Sequence, residues 1–115
     1  MMRRGEIWQV DLDPARGSEA NTSRPAVIVS NDRANATAER LGRGVVTVVP
    51  VTSNVDRIYP FQVFLAAHGG LGADSKAQAE QVRSVAAERL RYRLGQISVR
   101  ELHDLDEALR LHLAL

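Results

Sequence analysis

Apolar and polar positions alternate, imperfectly, through Glu6 to Leu12 (EIWQVDL), where Trp8, Val10 and Leu12 stand against Glu6, Gln9 and Asp11. That two-residue period predicts a first strand. Asp13 to Ser23 (DPARGSEANTS) carries small polar residues behind an Asp-Pro start and reads as loop. Pro25 to Ser30 (PAVIVS) is a β-branched run, predicted as a buried strand with Pro25 at its first position. Asn31 to Leu41 fits one short helix, closed by Gly42 and Gly44. Val45 to Val51 (VVTVVPV) predicts a second buried strand that Pro50 ends or bends. Thr52 to Pro60 then reads as an exposed loop, Phe61 to Ala66 as a strand, and Gly69, Gly70 and Gly72 as a sharp turn.

The pattern is less decisive from Ser75 to Leu94. Rich in Ala, Gln, Glu, Arg and Leu, this segment favours helix by propensity. The last segment is clearer. Ser98 with Glu101 three positions on forms a capping box, and Ile97 with Leu102 a hydrophobic staple. Val99, Leu102, Leu105, Leu109 and Leu113 then recur at helical spacing. Several strands followed by an amphipathic C-terminal helix predict a mainly β barrel with helical additions.

Composition narrows the class. A chain of 115 residues, 44% hydrophobic and 25% charged, fits a single globular domain over residues 1–115. A net charge of +1 does not mark a nucleic-acid binder, so any such site must come from local clustering. The absence of cysteine removes disulfides, thiolate nucleophiles and cysteine–zinc sites. The two early arginines precede no apolar signal core, and no stretch approaches a membrane span, so a cytoplasmic protein is expected. His68, His103 and His112 have no metal-pair spacing, and no metal or other cofactor is expected.

Candidate chemistry centres on Arg24-Pro25 and on Val49-Pro50-Val51-Thr52-Ser53-Asn54. An arginine offers parallel donors to two phosphate oxygens, and hydroxyls add short, orientable hydrogen bonds. Held at adjacent strand ends, these groups suit a phosphodiester.

Gly5-Glu6-Ile7-Trp8, Gly17-Ser18-Glu19, Arg24 to Ser30, Val49 to Asn54 and Gln81-Val82-Arg83 occur in an order that resembles the MazF/PemK-type toxins of bacterial toxin–antitoxin pairs. The resemblance spans essentially the whole chain. It implies an SH3-like barrel with a C-terminal amphipathic helix, and a homodimer. It also implies metal-independent cleavage of single-stranded RNA at short sequences, which inhibits translation and growth. A MazE-like antitoxin would cover the RNA groove with an acidic C-terminal segment. Gln81-Val82-Arg83 would lie in a strand, against the helix that composition favours.

By that resemblance Arg24, Thr52 and Glu19 are the catalytic candidates. Metal-free cleavage uses the neighbouring 2′-hydroxyl as nucleophile and leaves a 2′,3′-cyclic phosphate and a 5′-hydroxyl. The protein must help remove one proton, stabilise charge on phosphorus and protonate the leaving oxygen. Guanidinium groups stay protonated, which fits Arg24 to the second task. Glu19 either orients Arg24 or takes the 2′-hydroxyl proton. Ser18, Asn21, Ser53, Asn54, Arg57 and Lys76 are the candidate RNA-binding residues. Trp8, Gln81 and Arg83 are assigned to the structure or the dimer contact. Arg89, Arg91 and Arg93 alternate and read by default as a solvated face.

Two rival classes are weaker. A gyrase-poisoning toxin on the same barrel would need a tryptophan at its C-terminal tip, whereas this chain ends Leu113-Ala114-Leu115 and has only Trp8. A silent SH3-like module for proline-rich peptides needs an aromatic groove, and 4% aromatic content is poor material for one.

Overall fold

Short β-branched and apolar runs build an antiparallel sheet in the computed structural model, which describes residues 2–13 and 22–115. Its strands are β1 (Glu6–Asp13), β2 (Thr22–Ile28), β3 (Val45–Thr52), β4 (Gln62–Leu65), β5 (Ser75–Gln78), β6 (Arg83–Ala86) and β7 (Leu90–Gln96). Helix α1 (Asp32–Leu41) follows β2, and helix α2 (Val99–Leu113) follows β7. The strand order is β4-β5-β3-β2-β1-β7, with β6 also paired to β3. The sheet curls into a barrel-like fold with the C-terminal helix packed on it.

Both β-strand prolines sit where pairing is incomplete. β2 pairs with β1 from Thr22 onward, but its register with β3 begins only at Ala26, opposite Pro50. Pro25 therefore lies inside β2, three positions beyond the strand's start at Thr22 rather than at its first position as expected, at a point flanked by β1 alone. Pro50 does not end β3 either. Along one edge β3 pairs with β6 through Val48 and with β5 from Val51, and Pro50 falls between the two ladders. A residue with no N–H is tolerated where no ladder bond is needed.

Two apolar clusters use opposite faces of the strands. Ile7, Val27, Val49, Val51, Leu65, Ala77 and their neighbours form one, which Leu105 and Ala108 of α2 close. Val10, Ala26, Ile28, Val46, Val48 and Val85 form the other, with Ala38 of α1. Alternation along β2 and β3 thus sends successive side chains into different cores, which explains their uninterrupted apolar sequence.

Residues 75–94 are not a helix. They form β5, β6 and β7, joined by 3-10 turns at Ala79–Gln81 and Ala87–Arg89. Pairing with β3, β4 and β1 supplies long-range contacts that outweigh a weak local preference. Gln81 lies in the first turn rather than in a strand, and β6 starts at Arg83.

The helix termini follow local chemistry. Asn31 caps α1, and Gly42 ends it in the left-handed conformation at φ 66°. Ser98 and Glu101 make the reciprocal capping box of α2. Ile97 is in the first cluster and Leu102 packs against it. The buried face of α2 is shorter than its leucine spacing predicts: Leu105 and Ala108 are buried, while Val99 is 88% and Leu113 48% exposed. The two ends of the helix overhang the sheet.

The turn at Gly69 and Gly70, with φ of 64° and 103°, lies against the end of β7 so closely that backbone touches backbone at Gly95. Side chains are excluded there.

Candidate active site

The sheet register determines which polar side chains meet. Ala26 stands opposite Pro50, and Thr52 opposite Lys76. Continuing the β2–β3 register by two residues sets Arg24 across from Thr52. Period-two alternation then gives Arg24, Thr52, Lys76 and Gln78 one common face of β2, β3 and β5. The Arg24–Gln78 hydrogen bond joins Arg24 to the same strand whose Lys76 stands opposite Thr52.

Arg24 is a half-buried residue of β2, paired across β1 with Val10, and is not part of the preceding loop. Its Nη2 donates to Gln78 Oε1 at 2.9 Å, which steadies one end of the guanidinium and leaves its other N–H groups for a ligand. Thr52 ends β3. The Asn54 N–H donates to Thr52 Oγ1 at 3.2 Å, a turn bond that uses the hydroxyl as acceptor. The hydroxyl proton stays free to donate. An immobilised cation beside an oriented O–H donor is suited to an oxyanion with two or more accepting oxygens.

The loop after Thr52 is braced on both sides. Asn54 Oδ1 accepts from the Asp56 N–H, and Gln62 Oε1 from the Tyr59 N–H. Arg57 is exposed and its guanidinium lies 5.7 Å from the Tyr59 ring centre, within cation–π range. Tyr59 in turn stacks on Phe61 with centres 5.4 Å apart. Ser53 and Asn54 are exposed.

Lys76 has a different environment. It is 7% exposed, and its Nζ donates to the Arg57 carbonyl at 2.5 Å. Its first role in this geometry is to hold the loop that carries Arg57; its charge lies under the surface beside Thr52. Glu19, Ser18 and Asn21 lie outside the described residues.

The remaining candidates are distributed around the sheet. The indole N–H of half-buried Trp8 donates to Glu6 Oε1 at 3.1 Å, and the ring packs against the second cluster. β1 is paired on both sides, by β2 and β7, so Trp8 lies on an internal strand rather than an exposed one. Arg83 Nη2 donates to the Leu12 carbonyl at 3.0 Å, tying β6 to the end of β1. Gln81 is exposed. The arginines of β7 are not free: Arg91 pairs with Asp11 at 2.8 Å and Arg93 with Glu6 at 2.9 Å. Among the described residues, no group of three or more His, Asp or Glu side chains is placed to hold a metal ion.

Gln78, Gln62 and the Tyr59–Phe61 stack were not singled out from sequence. Ser75-Lys76-Ala77-Gln78 does alternate small with long polar residues, a strand signature hidden by its helix-favouring composition.

A family model described as the PemK-like, MazF-like toxin of type II toxin–antitoxin system matches residues 3–113. The chain is 72% identical over 116 residues to Endoribonuclease MazF9 of Mycobacterium tuberculosis, covering 100% of this chain and 98% of that protein. Among solved structures, MazF from Deinococcus radiodurans superposes with a TM-score of 0.79 at 26% identity, covering 99% of this chain and 97% of the other. A mycobacterial endoribonuclease in complex with its cognate antitoxin gives 0.79 at 23% identity, covering 100% and 97%, and this is a likeness of fold. Nothing in these names supports a gyrase poison.

Proposed function

Because the chain belongs to the PemK-like, MazF-like toxin family of type II toxin–antitoxin systems, we propose that it is an endoribonuclease that cleaves single-stranded RNA at short sequences without a metal ion. The observation that carries this reading is the Arg24 Nη2–Gln78 Oε1 hydrogen bond at 2.9 Å, which joins Arg24 to the strand that pairs Lys76 with Thr52.

In this mechanism the 2′-hydroxyl oxygen attacks the adjacent phosphorus as its proton is removed. The P–O5′ bond then breaks, the departing oxygen takes up a proton, and a 2′,3′-cyclic phosphate and a 5′-hydroxyl remain. Arg24 offers N–H donors to the nonbridging oxygens as charge builds on them, and Thr52 Oγ1 adds a hydroxyl donor. Both act most strongly where the charge develops, which is the requirement for catalysis rather than mere binding. Glu19 is retained as the acidic group that orients Arg24 or accepts the 2′-hydroxyl proton. Ser53, Asn54 and Arg57 would contact the RNA, with Lys76 supporting their loop from below, and Ser18 and Asn21 are kept as RNA-binding candidates from the sequence. Cleavage of messenger RNA would inhibit translation and growth, and an antitoxin with an acidic, partly apolar extended segment would compete for the same groove.

The test uses the purified chain, a defined RNA and excess EDTA. Discrete cuts ending in cyclic phosphate are expected. Thr52→Ser, which keeps the hydroxyl, should retain much of the rate, whereas Thr52→Val, alike in shape but without the donor, should lose about 10²-fold. Cleavage abolished by EDTA in the parent chain would overturn the metal-free reading, and full activity of Thr52→Val would remove that hydroxyl from the chemistry.

We further propose a homodimer. A groove of about 660 Å³ runs between α1, β3 and α2, with Arg4, Val29, Thr47 and Leu109 among its lining residues. Val45 (60% exposed), Leu113 and Leu115 (83%) add apolar surface at this face, which favours a second copy over water. Sedimentation should give a dimer at micromolar concentration, and the Val45→Lys, Leu113→Asp pair should shift it towards the 12.6 kDa monomer. A parent chain that sediments only as monomer would rule the assembly out.

A further inference from the structure

We propose that Gln78 is a positioning residue for Arg24, an inference that rests on reading Arg24 as the group that grips the scissile phosphate. The contact is Arg24 Nη2 donating to Gln78 Oε1 at 2.9 Å, between strands 54 residues apart in the chain. A guanidinium donates and never accepts, so the carboxamide oxygen must face Arg24 and the amide nitrogen must point away from it.

The strand under Gln78 is well anchored. It stands opposite Gln62 of β4. Gln62 accepts from the Tyr59 N–H at 3.1 Å and donates from Nε2 to Glu80 Oε2 at 2.7 Å. Gln78 therefore rests on a part of the sheet braced to both the loop after Thr52 and the turn after β5. A long, half-buried arginine with its far end fixed from such a base loses less rotamer freedom when the substrate arrives, and its remaining N–H groups already point one way.

The chemical identity of the brace matters. A glutamate at this position would hold the arginine equally well, but its charge would compete with the phosphate for the same cation. A neutral amide orients the guanidinium and leaves its charge for the substrate. Gln78 thus fixes the geometry of Arg24 without itself adding negative charge, whatever Glu19 contributes.

The test is cleavage of a defined RNA by Gln78→Leu and Gln78→Met, two variants of similar length that lack the acceptor oxygen. The expected result in both is a fall in kcat of about 10-fold, a KM within about twofold of the parent, and an unchanged melting temperature. In an Arg24→Lys background the same substitutions should add less than about twofold, because the contact they remove is already gone. Parental rates in both variants would overturn the inference. So would an undiminished 10-fold loss in the Arg24→Lys background, which would mark Gln78 as acting independently of Arg24. Arg24→Ala separates the two layers of argument. If it cleaves normally, the reading of Arg24 falls and this inference with it; if it is inactive while the Gln78 variants are normal, only the role of Gln78 falls.

Discussion

Arg24→Ala is expected to lose about 10²–10³-fold in cleavage rate, the equivalent of about 2.7–4 kcal/mol of transition-state stabilisation. The size follows from where the guanidinium sits. It is half-buried in β2, an internal strand, and held by Gln78 rather than waving in solvent, so its donors are in place before charge develops. Arg24→Lys should lose most of the rate too. An ammonium keeps the charge but not the planar fork, and its shorter donor group reaches neither Gln78 nor two phosphate oxygens at once. RNA binding should fall far less for the lysine variant than cleavage does, since association draws on net charge and not on geometry. Single-turnover cleavage and a binding isotherm on the same RNA check both statements. Near-parental cleavage by Arg24→Ala would take Arg24 out of the chemistry.

Gly95→Ala is expected to be the most damaging small substitution for stability. An added Cβ would lie 1.8 Å from the Gly69 carbonyl oxygen and 3.0 Å from the Gly70 nitrogen. Those are backbone atoms of a tight turn, so no side chain can swing aside. The turn cannot retreat easily, and β7 is held by its pairing of Gly95 with Ile7 of β1. Overpacking of an ordinary core costs about 1–3 kcal/mol, and a clash confined to backbone belongs at or above that upper end. The melting temperature should fall by roughly 10 °C or more. Gly72→Ala is the control: its added Cβ would meet nothing within 4 Å, and the change should stay within about 0.5 kcal/mol of neutral. Equal melting temperatures for Gly95→Ala and the parent would contradict the close contact.

Local signals were the ones sequence conveyed well. Asn31 with Gly42, and Ser98 with Glu101, are caps whose chemistry involves only nearby residues, and each appears at its expected place. β1 and the apolar runs of β2 and β3 were likewise legible, because burial on both faces leaves a continuous β-branched stretch. Residues 75–94 were not, since their strand state depends on partners as far away as Trp8 opposite Arg93, 85 positions apart. The family resemblance supplied the strand reading that propensity denied, although Gln81 lies in a turn beside it.

The site divides in the same way. Arg24 and Thr52 stand out because each lies beside a proline-bearing, β-branched run. That β5 links them, through Gln78 to Arg24 and through Lys76 to Thr52, is a matter of pairing, which no local pattern states. Lys76 looked like a surface cation, yet its ammonium is drawn under the loop by a backbone carbonyl. Gln78 was silent for a simpler reason: a glutamine in an alanine-rich stretch has no distinguishing chemistry until an arginine from another strand reaches it.

β1, the strand next to the β7 edge of the sheet, also sets a timetable. Its partner β7 is among the last segments to be synthesised, with Arg91 meeting Asp11 from 80 positions earlier, and Arg4 waits for Asp106, 102 positions later. At about 5–20 residues per second, translation leaves roughly 5–20 s between the two ends of that last contact. For about the second half of that interval Arg24 and Thr52 are both made while the first core still lacks its α2 cover. The first core of a chain with this topology therefore closes only as its final helix docks.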